Sequence, residues 1–447
     1  MKLLLLEFNE IDGHLVERGI ALGDLPTFAR LRAEAECFET DAGDSYLEPW
    51  VQWVTLHTGV PLARHGAVQL ALGPGVPQPF VWETLSAAGH RVWVCGALNG
   101  RDRAGLRGAI LLDYWAPAVR GSPFFAFQRF VNACVSRHID ERHRLPWREA
   151  AGFLSFMLRR GLRPATMARA AGHAAAAALT RTPWRVVFAL EDCQLDLFFH
   201  ERRRLDPAFG VFFVNSVAHL QHNYWREAEP ERFAEPPAAH RRRHAGAIAA
   251  GYRHLDRLLA RLLDSVGPQT TVLLCSALGQ EPYRQEGARG PTLYRVDDLS
   301  ALVRALALPN PASIARHMAD AFTLHYADEP AARAARDRLA AARIGRRRLF
   351  RAELRGKAVL VDGSLTFESD PSEPVMVGDV PSGFRLGDLA RVGHHVGGVH
   401  HRRGLLWIRG RFPRPAPGPG RPVPLTAIAP LIETFFDVRS AGPREGS

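Results

Sequence analysis

The stretch Thr270–Tyr283, TTVLLCSALGQEPY, decides the fold. A short uninterrupted apolar run is the mark of a strand buried on both faces, and the Gly279 that follows marks a turn. Strands of that kind belong to parallel sheets covered by helices, and the ends of such strands carry the working residues of open α/β proteins. Here, however, the turn begins Ser276-Ala277-Leu278, with two aliphatic side chains where chemistry is expected.

Outward from this strand, residues 2–9 and the runs HRVWVCGAL (90–98), FGVFFVNSV (209–217) and GLLWIRG (404–410) repeat the pattern. Segments with helical spacing separate them, among them GHLVERGI, PTFARLRAEA and AIAAGYRHLDRLLARLLDSV. Strand and helix alternation predicts an α/β fold with a mostly parallel central sheet flanked by helices. The core is expected over 1–119, 186–284 and 393–438. Residues 120–185, rich in Arg and Ala, read as a helical insertion or cap, residues 285–392 as an inserted α+β subdomain, and 439–447 as a frayed tail.

With 447 residues, 47% of them hydrophobic, the chain can bury a large core. The opening MKLLLLEFNE is too short in its apolar run for a secretory signal, and no segment reaches the length of a membrane span. Cys37, Cys95, Cys134, Cys193 and Cys275 are scattered without metal-finger spacing. Free thiols in a reducing compartment are the simpler account, so a cytoplasmic location is expected. The formal charge is +11, yet Lys2 and Lys357 are the only lysines. The Arg runs 202–204, 241–243 and 346–348 are far apart and interleaved with carboxylates, with no recognition motif beside them. They read as solvated faces, which argues against a nucleic-acid partner.

The order of these segments resembles the alkaline phosphatase superfamily, in particular its type I phosphodiesterase/nucleotide pyrophosphatase-like branch. The resemblance rests on six blocks in family order. They are KLLLLEFNEIDGHLVERGIALGDLPTFARLRAEA, PWVQWVTLHTGVPLARHGA, FFVNSVAHLQHNYW, TVLLCSALGQ, GVHHRRGLLWIRG and LTAIAPLIETFF. It implies the family's fold and a chemistry in which two divalent metals, about 4 Å apart, polarise a phosphoryl or sulfuryl group. Carried over position by position, the first metal-ligand Asp falls on Asn9 and the nucleophile on Pro49. The Asp of Asp-x-x-x-His falls on Ala218, and the Asp-His pair on Ala277 and Leu278. His222 and His400 match surviving ligands. Pro, Ala and Leu offer neither nucleophile nor ligand, so the usual two-metal mechanism is not expected.

Polar residues flank the vacated positions. Glu48 precedes Pro49 at a helix start, where an acid either complements the helix dipole or stands as a general base or metal ligand in the nucleophile's place. Gln52, one turn on, can orient a substrate or simply lie at the surface. His219 and His222 share a helix face at a spacing suited to one metal, although His-x-x-His is also a common pattern without one. His401 is an alternative to His400, and Asn215 can add a side-chain oxygen. Asn9 and Glu10 end the first strand. Glu7, charged within an apolar strand, needs a buried partner. Asn99 and Arg101 follow a strand and can meet an anion or merely form a turn. Gln280 and Glu281 lie just past the turn, and His57 and His65 read as supporting or packing residues.

Two functions follow from this reading. The first is a hydrolase or group transferase for phosphate or sulfate esters, phosphodiesterase- or sulfatase-like. Its site would be remodelled around Glu48, Asn9 and Gln52, with Asn99, Arg101 and Gln280 toward substrate. His219, His222 and His400 would hold at most one divalent metal, zinc by preference. The second is a non-catalytic pseudoenzyme of the same fold that binds an anionic ligand or a protein partner.

Overall fold

The computed structural model describes residues 1–43, 46–70, 72–139, 146–233, 238–283, 292–296, 298–316, 321–362, 364–365, 370–415 and 420–438. The predicted tail 439–447 lies outside them. The chain divides into two compact units. The first comprises 1–228, 238–281 and 399–447, and the second comprises 229–237 and 282–398.

The first unit is built on an eight-stranded sheet. Its order is Val423–Pro424, Glu36–Asp41, Arg403–Arg409, Thr271–Ser276, Leu3–Phe8, Phe209–Val214, Val92–Cys95, Gly108–Leu111. Leu3–Phe8 lies parallel to both Phe209–Val214 and Thr271–Ser276, and all three strands are buried along their whole length. That double burial is why their sequences are continuous rather than alternating. Arg403–Arg409 runs antiparallel to both its neighbours. The sheet is therefore mostly parallel, as the sequence pattern predicts.

Ala277 and Leu278 are fully buried and belong to the apolar core. The aliphatic pair at this strand end is a packing feature. Beside it, a Cβ on Gly404 would stand 2.1 Å from the Ser276 carbonyl oxygen, so only glycine lets the returning strand pass.

Glu7 is fully buried in its apolar strand, and its Oε1 lies 2.6 Å from His57 Nε2 on the helix Pro49–Thr58. His57 is itself enclosed by Trp53 and Trp82, with ring centroids 5.7 and 4.8 Å away. The pair thus ties that helix to the sheet. Pro49 opens the helix and Gly59, with φ 68°, closes it in the left-handed region. Helix Pro26–Glu34 is held by Asp256 of helix Ala247–Ser265. Its Oδ1 accepts from the backbone N–H groups of Thr27 and Phe28, and its Oδ2 from the Thr27 hydroxyl, each at 2.9 Å. Residues 120–185 carry the helices Phe125–Ile139, Trp147–Arg159 and Pro164–Thr180, followed by Val186–Leu205.

The second unit has a separate core around Leu302, Leu324, Leu339 and Val359. Its described strands form two four-stranded sheets and one three-stranded sheet, all antiparallel in their pairings, with helices Leu299–Ala305 and Glu329–Ala341.

His65 is buried just beyond the Pro49–Thr58 helix. Its Nδ1 accepts the Ala67 N–H at 3.1 Å, and its Nε2 lies 3.0 Å from the Thr55 hydroxyl. An accepting Nδ1 requires the neutral ring, and burial pushes the pKa down to about 4. The unfolded chain therefore binds this proton first as pH falls, and the stabilisation due to His65 declines from about pH 6.5 toward the folded value. In urea unfolding at stepped pH, His65→Gln should be clearly less stable than the wild type near neutrality, with the gap narrowing as pH falls toward about 4. A gap that widens on acidification would contradict the neutral buried ring.

Candidate metal centre

Three parallel strands end side by side at one edge of the sheet of the first unit. After Phe8 come Asn9 and Glu10, after Val214 come Asn215 and the helix Ser216–Ala228, and after Ser276 the chain turns into the short strand Gly279–Pro282. That strand pairs with Gly398–His401, which brings His400 to the same edge.

Glu10 lies at the centre. Its backbone is in the left-handed region, with φ 56°, uncommon for a residue with a side chain and costing roughly 1–2 kcal/mol. The carboxylate is 2% exposed. Its Oε2 lies 3.1 Å from His222 Nε2 and 3.3 Å from His400 Nε2, and it also accepts from Gln280 Nε2. Its Oε1 accepts from Asn9 Nδ2 at 2.8 Å. The ligating atoms of Glu10, His222 and His400 all lie within 4.8 Å of one another. In a tetrahedral zinc site with bonds of ~2.0 Å, donor atoms sit roughly 3.3 Å apart, so this two-His, one-carboxylate set fits a single divalent cation. A second metal finds no donors at Pro49, Ala218, Ala277 or Leu278.

The electrostatics follow from this packing. Burial works against the charged form of Glu10. The charge of His400 and the hydrogen bonds of both imidazoles outweigh it and hold the carboxyl well below its usual range. For His400, burial favours the neutral ring, but Glu10, then Glu48 and the Leu47 backbone, raise its pKa to about 9. Glu48 Oε2 lies 3.7 Å from His400 Nδ1. A carboxylate behind a ligating imidazole fixes which nitrogen faces the metal.

A surrounding network fixes these side chains. Trp53 Nε1 donates to Asn9 Oδ1 at 2.7 Å, and Asn9 Nδ2 also donates to Asn215 Oδ1 at 2.6 Å. Gln280 Nε2 reaches the Ala218 carbonyl at 3.1 Å, so Ala218 contributes through its backbone. Gln221 donates to the Glu10 carbonyl at 2.9 Å and accepts from the Tyr252 hydroxyl at 2.6 Å. The His222 helix is anchored by fully buried Glu191. Its Oε1 accepts the N–H groups of Asn215 and Ser216, and its Oε2 accepts the Ser216 hydroxyl and lies 3.1 Å from His254 Nε2.

Among the residues predicted from sequence, Asn9, Glu48, Gln280, His222 and His400 meet around Glu10. His219 lies one turn earlier on the helix, against Asn223, and is not in the converging set. Gln52 is buried and donates to the Tyr46 carbonyl, which holds the segment leading into the helix. Asn99 donates to the carbonyls of Trp50 and Gln69. Arg101 is committed to Glu83 and to the carbonyls of Val76 and Gln78, which uses its guanidinium for the local fold. His401 Nδ1 accepts the Arg403 N–H. Two of the three expected ligands, His222 and His400, are in this set, and Glu10, noted only as an acid at the end of the first strand, takes the place expected for His219. The available signal was an acid at the end of the first strand, directly after Asn9. Glu191 left no signal, because it lies in another segment and acts through backbone N–H groups. A second His/Asp group, His173, Asp192 and His254, also converges. There both Asp192 oxygens take guanidinium donors, from Arg169 and Arg261, so the group is part of an ion-pair cluster between helices.

No protein-family model matches the chain, and no curated protein matches it at a significant level. Solved structures do. The chain is similar to phosphonoacetate hydrolase from Sinorhizobium meliloti 1021 in complex with phosphonoformate, at 14% identity and a TM-score of 0.44, covering 96% of this chain and 94% of that one. It is also similar to human ectonucleotide pyrophosphatase/phosphodiesterase 5, at 10% identity and a TM-score of 0.45, covering 100% and 97%.

Removing Glu191 leaves His254 without its buried partner and three donors at the helix start without an acceptor. Glu191→Ala should cost roughly 3–5 kcal/mol in denaturant unfolding. A cost below about 1 kcal/mol would mean the helix is held elsewhere.

Proposed function

We propose that this chain is a hydrolase or group transferase for phosphate or sulfate esters that works with one divalent metal, preferably zinc, held by Glu10, His222 and His400. The observation that carries the reading is the convergence of those three donors at the sheet edge, in a chain whose segment order resembles the alkaline phosphatase superfamily. A bound cation there would supply Lewis acidity toward an ester oxygen and lower the pKa of water. The chain's own residues supply the rest. Glu48 orients His400 and, being partly exposed, is the carboxylate able to accept a proton from an attacking nucleophile. Asn9 and Gln280 hold the Glu10 carboxylate in place, and Asn215, whose Oδ1 accepts from Asn9, would turn its amide N–H toward ester oxygens. Pro49, which the resemblance places at the nucleophile position, has no nucleophilic atom, so direct attack by water or a bound acceptor is the route proposed.

One observation favours the second reading, a non-catalytic relative binding an anion. Glu10 is already satisfied by two imidazoles and two amides, an arrangement that balances charge by itself. Calorimetric zinc titration of the purified protein decides about the metal. Binding should weaken at least about 100-fold in Glu10→Ala and in His222→Ala. Turnover of aryl phosphodiesters, phosphate monoesters and sulfate esters decides about catalysis, and Glu48→Gln should lower kcat by about 10²–10⁴ with zinc binding retained. Zinc binding without turnover of any ester supports the non-catalytic reading, and no zinc binding at all removes the metal centre.

A further inference from the structure

From Ala150 to Leu190 the chain contains no Asp or Glu, but it has Arg159, Arg160, Arg163, Arg169, Arg181 and Arg185. The helix Trp147–Arg159, which leads into this basic stretch, has two apolar sides. The inner one packs Phe153 against Phe130 and Phe127, with ring centroids 4.2 and 5.5 Å apart, and buries Met157 completely. The outer one exposes Trp147 at 74%, Leu154 at 45% and Leu158 at 56%. Spacings of seven and four put these three side chains, with Ala151 between them, on one stripe. Arg148 and Arg159 border it. Arg148 lies over the Trp147 ring, Arg159 donates to Ser155, and neither pairs with a carboxylate among the described residues. The helix's one acid, Glu149, is taken by Arg129. Of the eleven large apolar side chains exposed among the described residues, six lie between Trp147 and Val186. That concentration is not the scatter of single exposed residues found on ordinary surfaces.

We propose that the helix Trp147–Arg159 docks on an anionic lipid bilayer surface. Trp147, Leu154 and Leu158 would enter the headgroup region, and Arg148 and Arg159 would meet lipid phosphates. A basic amphipathic helix with an interfacial tryptophan binds in this way, through buried apolar area and attraction to anionic lipids together. Charge selects this occupant. A second copy would bring arginines against arginines, whereas an anionic bilayer complements them. The proposal is independent of what the metal centre does.

Flotation of the full-length protein with vesicles tests it. The protein should float with phosphatidylcholine vesicles containing phosphatidylglycerol, more weakly at high salt, and not with phosphatidylcholine alone. Trp147→Gln/Leu158→Gln should lower partitioning by about tenfold with thermal stability unchanged. Arg148→Gln/Arg159→Gln, which alters exposed groups only, should reduce the salt-sensitive part of binding. Absence of flotation with the anionic vesicles, or full binding by both variants, overturns the proposal. So does light scattering that shows a lipid-free dimer dissociated by the Trp147/Leu158 substitutions, since the stripe would then be covered by a second copy.

Discussion

One buried carboxylate organises the candidate site. Glu10 is 2% exposed, and an isolated carboxylate so placed would be driven toward its neutral form. It stays charged because His222, Gln280 and His400 converge on it from three segments far apart in sequence, while its neighbour Asn9 donates to the other oxygen. Each of these segments is in turn fixed elsewhere. The first strand is held between two parallel neighbours, the His222 helix by Glu191, and the Gln280 strand by its pairing with Gly398–His401. If the acid is withdrawn, the imidazoles lose the charge that gathers them.

Buried charged groups attach two of this unit's helices to neighbouring elements. Glu7 with His57 attaches the Pro49–Thr58 helix to the sheet, and Asp256 captures the start of Pro26–Glu34. Both use directional hydrogen bonds within an otherwise apolar interior, where a misplaced partner leaves a costly unpaired group. They add selectivity to packing that apolar contacts alone leave less specific.

The sheet was legible in sequence because burial on both faces leaves a strong local trace. Residues 2–9, 209–217 and 270–276 read as continuous apolar runs, and they form adjacent parallel strands. The site was legible only in part. His222 and His400 stood out through family spacing, and Gln280 through its position after a strand. Arg101 and Asn99 looked equally suitable, since sequence does not say whether a polar side chain faces a pocket or a neighbouring carbonyl. Glu83 lies nearly a full segment away from Arg101 and takes its guanidinium. Glu10 was visible beside Asn9 but not assigned as a donor, because the resemblance puts the ligand one residue earlier, and Glu191 was hidden by acting on backbone N–H groups that carry no side-chain signature.

The left-handed backbone at Glu10 gives that displacement a wider meaning. The acid is not in the position held by Asn9 but one residue further along, and a local twist of the chain turns it back toward the same edge of the sheet. Matching sequences column by column sets Asn9 against an expected acid and leaves Glu10 out of account. Judged instead by where carboxylate oxygens lie in space, Glu10 supplies the charge at this strand end and Asn9 holds it there.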